Sequence, residues 1–557
     1  MIRALLRWLS RPFTYPLAAL LTLFMRARVG RAGVVELSID QHLDHPLQVL
    51  DALERLLRLT RARGLVLHLD LLAWGWATLE EWREGLVRLR DQGVLVVVVA
   101  DSLDNRGMFL ASAADRVLLP PLGEVAAVGV GGRMTFFGPA LERLGVVADI
   151  ESAGAFKSFG ETYTRSHASA ENREAVYALV DDLHAGLVAA ISEGRGKTPE
   201  ETQALIDRSP MAAEEALAAG LIDKVGYDDA LDELLEELLG EQSRRVGVGS
   251  LAFAFRWATR LNGLFPRDPI IAVVHISGPV TSGLEPSRGN PRISPPEVTP
   301  VLRAMRDQPN VAAVVLSVQS PGGSALASDL IWREVELLVR EKPVVAHFSD
   351  VAASGGYYLA APANEIVARP GSITGSIGVV GGKLVVGKAA GSLGIHVESF
   401  ERGRNVGMYL PDTTFDPWQR ARFRARLQHT YHEFVRRVAA GRKRPYGSVE
   451  EVAQGRVWSG RRAVEAGLVD HLGGLREAID RARALSGIRP AQAFRRADLV
   501  VQPPRPLWMR LLPGVGASVG GWAARLAQLV KLPAAAELLI EHPEQPLAVM
   551  PFEVELR

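Results

Sequence analysis

At 557 residues the chain is longer than one ordinary hydrophobic core, and a length prior gives roughly three or four domains. Its 64 basic and 63 acidic residues leave a formal charge of +1, which argues against the concentrated basic excess of a nucleic-acid binder. With no cysteine, disulfides, thiolate catalysis and cysteine-ligated zinc are excluded, while 48% apolar and 23% charged residues suit a folded soluble body.

The N-terminus differs from the rest. Ile2, Leu5, Leu6 and Leu9 follow helical spacing, with Arg3, Arg7 and Arg11 stepping along another face. Pro12 is expected to close this amphipathic piece. The uncharged run Phe13 to Met25 is short beside the about 20 residues that a span needs, and "MRARVGRAG" offers no small-residue cleavage site after it. Residues 1–32 therefore read as a retained membrane anchor, marginally spanning or lying in the interface, in preference to a cleaved leader or a docking helix. Arginines on both sides leave its orientation open.

An internal duplication organises the body of the chain. Asp101, Gly107, Leu110, Ala111, Pro121, Gly129, Gly138, Gly145 and Gly154 match Asp350, Gly356, Leu359, Ala360, Pro370, Gly378, Gly387, Gly394 and Gly403, every pair 249 positions apart. Further on, "AGLIDKVG" from Ala219 matches "AGLVDHLGG" from Ala466 at an offset of 247. A constant register over so many positions, several of them glycines with special backbone needs, marks a tandem repeat.

Each copy alternates strand and helix patterns. "GLVLHLD" and "VLVVVVA" in the first correspond to "VAAVVLSV" and "PVVAHFS" in the second, short valine-rich runs of the kind buried on both faces of a sheet. Helical stretches such as "TLEEWREGLVRLRDQG" and "ASDLIWREVELLVREK" lie between them, so the expected fold is α/β with mostly parallel sheets. The expected boundaries are 33–248 for the first repeat, 249–268 for a linker within the connecting stretch Arg244 to Pro269, and 269–487 for the second repeat. Residues 488–557 form an extension of unassigned role. Its apolar Trp508–Ile540 segment, with Arg510, Arg525 and Lys531, reads equally as membrane-surface or as packing or oligomer-contact sequence.

The chemistry is expected where the copies differ. In "SDVAASGGYY" Ser354 follows an apolar strand and precedes Gly355 and Gly356, a strand-to-helix turn that presents a hydroxyl and lets a substrate backbone approach. The first copy has Asn105 in its place. The turn "QSPGGSA" offers backbone N–H groups at Gly322 or Gly323 which, with that of Gly355, could form an oxyanion hole, each donor worth about 3 kcal/mol. The first copy has "DLLAWGW" there, without paired glycines. The reverse holds downstream: Lys157 follows Gly154 in "ESAGAFKSFGETYTR", whereas Val406 stands in the matching place after Gly403. A hydroxyl nucleophile needs a base, and a lysine serves if burial pulls its free pKa of about 10.4 down to roughly 7–8.

Each residue alone has a plainer reading. Ser354 could cap a helix, Lys157 could be solvated, and the glycines could serve only a tight turn. Their joint placement favours chemistry. His347 lies inside an apparent buried strand and is set aside as a triad base. "HLD" at 68–70 is strand sequence, and "VGVGS" at 246–250 lacks the strand–helix frame of a nucleotide loop.

Together "SPGGS", "SDVAASGGYYLA", "ITGSIGVV" and "AFKSFGETYTR", in tandem behind a short apolar N-terminus, resemble the long-form signal peptide peptidase A family over roughly residues 33 to 487. The resemblance implies tandem crotonase/Clp-protease-like domains and a membrane serine peptidase that degrades cleaved signal peptides and similar apolar peptides. It implies Ser354 as nucleophile, Lys157 as general base, and Ser376 in "TGSIG" as the serine that hydrogen-bonds the lysine. It further implies a homotetramer at the bacterial inner membrane with an extracytoplasmic catalytic body, and neither cofactor nor metal. Two rivals are acyl-thioester chemistry on the same scaffold, for which a lysine in the other repeat has no use, and a non-catalytic membrane scaffold.

Overall fold

The computed structural model describes residues 2–30, 33–41, 43, 45–240, 242–262, 269–283, 291–489, 492, 494–501, 546–550 and 555–556. The chain forms two compact units: Met1–Gly131 with Asp181–Asp268, and Gly132–Val180 with Pro269–Leu556. The stretch Gly132–Val180 thus leaves the sequence of the first repeat to join the body built mainly by the second.

The first unit holds six parallel strands in the order Lys224–Val225, Arg116–Leu119, Leu95–Ala100, Gly64–Leu69, Gly33–Ile39 and Arg244–Gly247. Val66, Val97 and Leu118 from its middle strands are buried together with Leu231 and Leu235 of the helix Asp228–Leu239. Helices Pro46–Thr60 and Trp76–Asp91 make the crossovers between neighbouring parallel strands.

Two expectations need correcting in this unit. Pro12 does not end the first helix, which runs unbroken from Ile2 to Val29, 28 residues or about 42 Å. Pro12 and Pro16 each lack the backbone N–H that a helix interior uses, and the helix continues past both. The stretch Arg244 to Pro269 is also more than a connection: Arg244–Gly247 adds an edge strand beside Gly33–Glu36. Val248–Asn262 then forms a helix that buries Leu251, Ala254 and Ala258, residues three and four apart on one face.

The second unit carries an eight-stranded sheet. Its main path is Val457–Ser459, Ile373–Gly375, Val344–Ala353, Val311–Ser320, Ile270–Ser277 and Arg495–Val500, parallel except for the first pair. The ten-residue central strand Val344–Ala353 divides its partners: Val345–Phe348 pair with Glu365–Ala368, and Val351–Ala353 with Ile373–Gly375. Val314, Val315, Leu316, Val344, Val345 and Ala346 are fully buried, as continuous apolar runs predict for strands covered on both faces. A separate antiparallel sheet has the order Gly322–Ser324, Leu547–Val549, Val379–Val385 and Val147–Ala153.

The extension after residue 487 therefore contributes an edge strand, Arg495–Val500, and an interior strand, Leu547–Val549. The Trp508–Ile540 segment lies outside the described residues.

Candidate active site

Two neighbouring parallel strands of the second unit end at the same edge, and each releases a tight turn there. Val311–Ser320 leads into Gly322 and Gly323, whose φ values of 98° and 152° are ones that side-chain-bearing residues rarely adopt. Val344–Ala353 leads into Ser354, whose own φ is 54°, and then into the helix Gly355–Ala360. The turns touch: a Cβ built on Gly322 would stand 2.7 Å from the Gly355 nitrogen and 3.0 Å from Ser354 Cβ. A Cβ on Gly355 would come within 3.1 Å of the Gly323 nitrogen. Bare backbone at all three positions is what allows this approach.

Lys157 arrives from the antiparallel sheet. Val147–Ala153 pairs with Val379–Val385 in the register Ala153 opposite Val379, and Gly154 turns at a φ of 112°. The acidic residues of this strand are clamped by the helix Pro417–Gly441, with Arg420 Nη1 2.7 Å from Asp149 Oδ1 and 2.6 Å from Glu151 Oε1. The Phe156 N–H donates to the Gln454 carbonyl at 2.7 Å. Gly455 lets the Lys157 backbone pass, since a Cβ there would be 2.6 Å from the lysine nitrogen.

The side chain then spans to the serine turn. Lys157 Nζ lies 2.9 Å from Ser354 Oγ, 2.9 Å from Ser376 Oγ and 3.0 Å from the Ser376 carbonyl oxygen. All three residues are buried, and burial holds the Lys157 ammonium well below its ordinary range. An amine whose neutral form burial favours, in hydrogen-bond contact with a hydroxyl and beside the backbone of Gly323 and Gly355, is an arrangement able to deprotonate the hydroxyl and to receive a developing oxyanion, while the Gly322 N–H donates to Ser320 Oγ at 3.2 Å.

The structure brings together every residue singled out from the sequence: Ser354, Lys157 and Ser376 by direct contact, and Gly322, Gly323 and Gly355 around the serine. His347 stays inside its strand, with its ring Nδ1 3.1 Å from Ser317 Oγ on the neighbouring strand. Gly455 and Gln454 were missed. Their signal was available: in the register that aligns Ala219 with Ala466, Gly455 falls opposite Arg208, a glycine present in one repeat only.

Comparison with known proteins agrees with this reading at the level of family. The model of peptidase family S49 matches twice, at residues 88–241 and 336–489, one match in each repeat. A chloroplastic serine protease SPPA from Arabidopsis thaliana is 32% identical over 467 residues, covering 83% of this chain and 68% of that protein. Protease 4 of Salmonella typhi is 29% identical over 417 residues, covering 73% of this chain and 66% of that one. A solved ClpP1 mutant from Listeria monocytogenes superposes with a TM-score of 0.25 at 13% identity, over 37% of this chain and 94% of that one, too slight a likeness to weigh. On the double match and the extent of the similarity, the chain belongs to peptidase family S49, with its two domains in tandem.

Proposed function

We propose that the protein is a serine endopeptidase in which Ser354 is the nucleophile and Lys157 the general base. The observation that carries this reading is the 2.9 Å contact between the buried Lys157 Nζ and Ser354 Oγ. Ser354 attacks the peptide carbonyl while Lys157 takes its proton and returns it to the departing amine. Water then hydrolyses the ester under the same base. Backbone N–H groups at Gly322 or Gly323 and at Gly355 stabilise the oxyanion, and Ser376, whose hydroxyl and carbonyl both meet the amine, holds it in place. Lysine suits a closed apolar site because its neutral form is the one that burial favours.

The substrate class, apolar peptides such as cleaved signal peptides, follows from the relationship to signal peptide peptidases and from membrane proximity. Membrane association is supported by the first helix, where Leu17, Leu20, Leu23 and Phe24 are exposed while Ala18, Met25 and Val29 are buried. The helix Val248–Asn262 packs against it and adds exposed Phe253 and Trp257. An apolar face with Arg26 and Arg28 near one end of the helix matches a helix seated at a lipid interface. By length and composition one helix among the described residues, Ala170–Arg195, could cross a membrane, yet 39% of its apolar window is buried in the protein.

Assembly as a homo-oligomer, a tetramer by resemblance, is supported by the repeat. The second unit pairs strand Val379–Val385 of the later repeat with Val147–Ala153 of the earlier one. The later counterpart of Val147–Ala153 is 396–402, which has no strand partner among the described residues and is exposed, Phe400 to 88%. A second copy would give that segment its pairing.

The test compares a fluorogenic apolar peptide with an acyl-thioester. Hydrolysis of the peptide by the wild type, and its loss in Ser354→Ala, is expected. Activity on the thioester alone would sink the peptidase assignment.

A further inference from the structure

Lys157 and Ser376 are both approached by one turn that the proposed mechanism does not use. Gln454, Gly455 and Arg456 lie between the helix Tyr446–Val452 and the strand Val457–Ser459, which pairs with Ile373–Gly375 so that Trp458 stands opposite Thr374. Gln454 and Gly455 take φ values of 51° and 80°, two left-handed residues in succession. The backbone of this turn grips the segment that carries the amine and the turn that meets it. The Gln454 carbonyl accepts from the Phe156 N–H at 2.7 Å, and the Arg456 carbonyl from the Ser376 N–H at 2.7 Å. The Gly455 N–H donates to the Ile377 carbonyl at 2.8 Å.

The Arg456 side chain then returns to the lysine segment. Its guanidinium carbon lies 4.9 Å from the centre of the Phe156 ring and 4.5 Å from that of Trp458, both contacts of the cation–π kind. Arg456 Nη1 is 2.7 Å from Glu174 Oε1, an ion pair that fixes the outer end of the group. Arg456 Nε is buried with no hydrogen-bond partner among the described residues, so ring contact is what the side chain gains there. Trp458 is fixed in turn, its Nε1 donating to the Val452 carbonyl at 3.0 Å. One cation therefore ties the residue before Lys157 to the strand beside the Ser376 turn. A planar guanidinium can lie over two rings while it holds a carboxylate; an ammonium on a flexible stem has no such plane.

Every part of this clamp is peculiar to one repeat. In the registers of the duplication, Ser209 stands in the place of Arg456, Met211 in that of Trp458 and Asn405 in that of Phe156. Ser354 and Lys157 are divided between the copies in the same way, which sets the clamp apart from an ordinary surface ion pair. We propose that Arg456 is a positioning residue for the base, clamping Phe156 so that the Lys157 amine stays within hydrogen-bond reach of Ser354 Oγ and Ser376 Oγ. This rests on the peptidase assignment. Without the guanidinium the segment Gly154–Lys157 is free to drift, and a misplacement of about 1 Å costs up to about 100-fold in rate. The same drift admits water to an amine whose neutral form depends on its burial.

The experiment measures kcat, KM and the pH–rate profile on one fluorogenic apolar peptide for the full chain, Arg456→Met, Arg456→Lys, Phe156→Leu and the double variant Arg456→Met/Phe156→Leu. NMR of isotope-labelled lysine side chains reads the amine's midpoint without turnover, its signal identified by loss in Lys157→Met. Arg456→Met should lower kcat by about 20-fold at KM within about two-fold, with the midpoint displaced upward in both the profile and the NMR titration. Arg456→Lys should behave alike, since charge without the plane does not clamp; it carries the same expectation should Arg456→Met not fold. The double variant should be no slower than the slower single one, because the arginine acts through the ring. An unmoved kcat, an unmoved midpoint or multiplied losses in the double variant would leave Arg456 a structural ion pair and overturn the positioning role, while the peptidase assignment stands. Absence of hydrolysis by every form sinks the peptidase assignment, and the NMR midpoint then decides by itself whether Arg456 holds the amine.

Discussion

The same turn occurs once in each repeat, and the two copies treat their polar residue in opposite ways. In the first unit Asn105 begins a helix whose cap, Asp104, accepts from the Gly107 N–H at 2.7 Å. Its amide closes on Gly129, donating to that carbonyl at 2.9 Å and accepting from that N–H at 3.0 Å. Both ends of the amide are satisfied and the backbone is relaxed. In the second unit Ser354 sits at a φ of 54° with its hydroxyl against a buried amine. Among the described residues only six non-glycine residues have positive φ, and three of them, Ser354, Ser376 and Gln454, contact Lys157 or the residues beside it. Strain gathers where the surrounding structure over-determines a reactive geometry. A duplicated chain can keep one copy relaxed as scaffold and concentrate strain in the other.

The comparison breaks most sharply if the strained turn is disarmed. Ser354→Ala and Lys157→Met should each lower kcat/KM by about 10⁴-fold or more, and the double variant should be no worse than either, because in the proposed dyad the two groups act as one unit. Steady-state rates on one peptide, with circular dichroism to check folding, decide this. Additive losses would mean that serine and lysine work separately.

Acidity gives the next largest effect. The proposed base must be neutral to act, so kcat/KM should rise with pH through the depressed pKa of Lys157 and then level. Stability follows the same sign. Between the lowered folded pKa and the ordinary 10.5 the unfolded chain binds the extra proton, so unfolding becomes harder as pH rises across that window. Lys157→Met removes this contribution. Its Tm should therefore lack the part of the alkaline-side rise that Lys157 provides, measured by thermal melts at stepped pH.

Much of this was legible in the sequence because it is local. Valine-rich runs announce strands buried on both faces, and a Gly-Gly pair after a strand announces a tight turn. The repeat register went further: by showing Asn105 opposite Ser354 and Val406 opposite Lys157, it picked the residues that face one another in space. What could not be read was long-range pairing. Nothing in "LAV" at 547–549 says that it will lie against Gly322–Ser324, because a three-residue strand has no period of its own and gains its order from partners more than 160 residues away. The same limit hid the departure of Gly132–Val180 into the other compact unit, and the edge strand Arg244–Gly247, whose neighbour in the sheet begins at Gly33.

A smaller effect tests how the amine is held. Ser376→Ala removes one of three oxygen contacts to Lys157 Nζ and leaves the Ser376 carbonyl and Ser354 Oγ in place. A loss of about ten-fold in kcat with little change in KM is expected, together with a displaced midpoint in the pH–rate profile. Rescue by Ser376→Thr would follow if the hydroxyl positions the amine. An unmoved profile would assign Ser376 to the turn alone.

The least effect on catalysis should come from the relaxed copy, and it makes the sharpest contrast. Asn105→Ala strips two part-buried hydrogen bonds from the Gly129 backbone, a cost of about 1 kcal/mol. The Tm should fall while kcat/KM stays within about two-fold, since no Asn105 atom belongs to the proposed dyad. Asn105→Ser in a Ser354→Ala background goes one step further. It restores a hydroxyl at the equivalent turn but cannot restore a base, because the residue in register with Lys157 is Val406, more than half exposed. No peptide hydrolysis should return. Recovery of activity there would mean that an isolated serine at this turn suffices, and the buried amine would lose its assigned part.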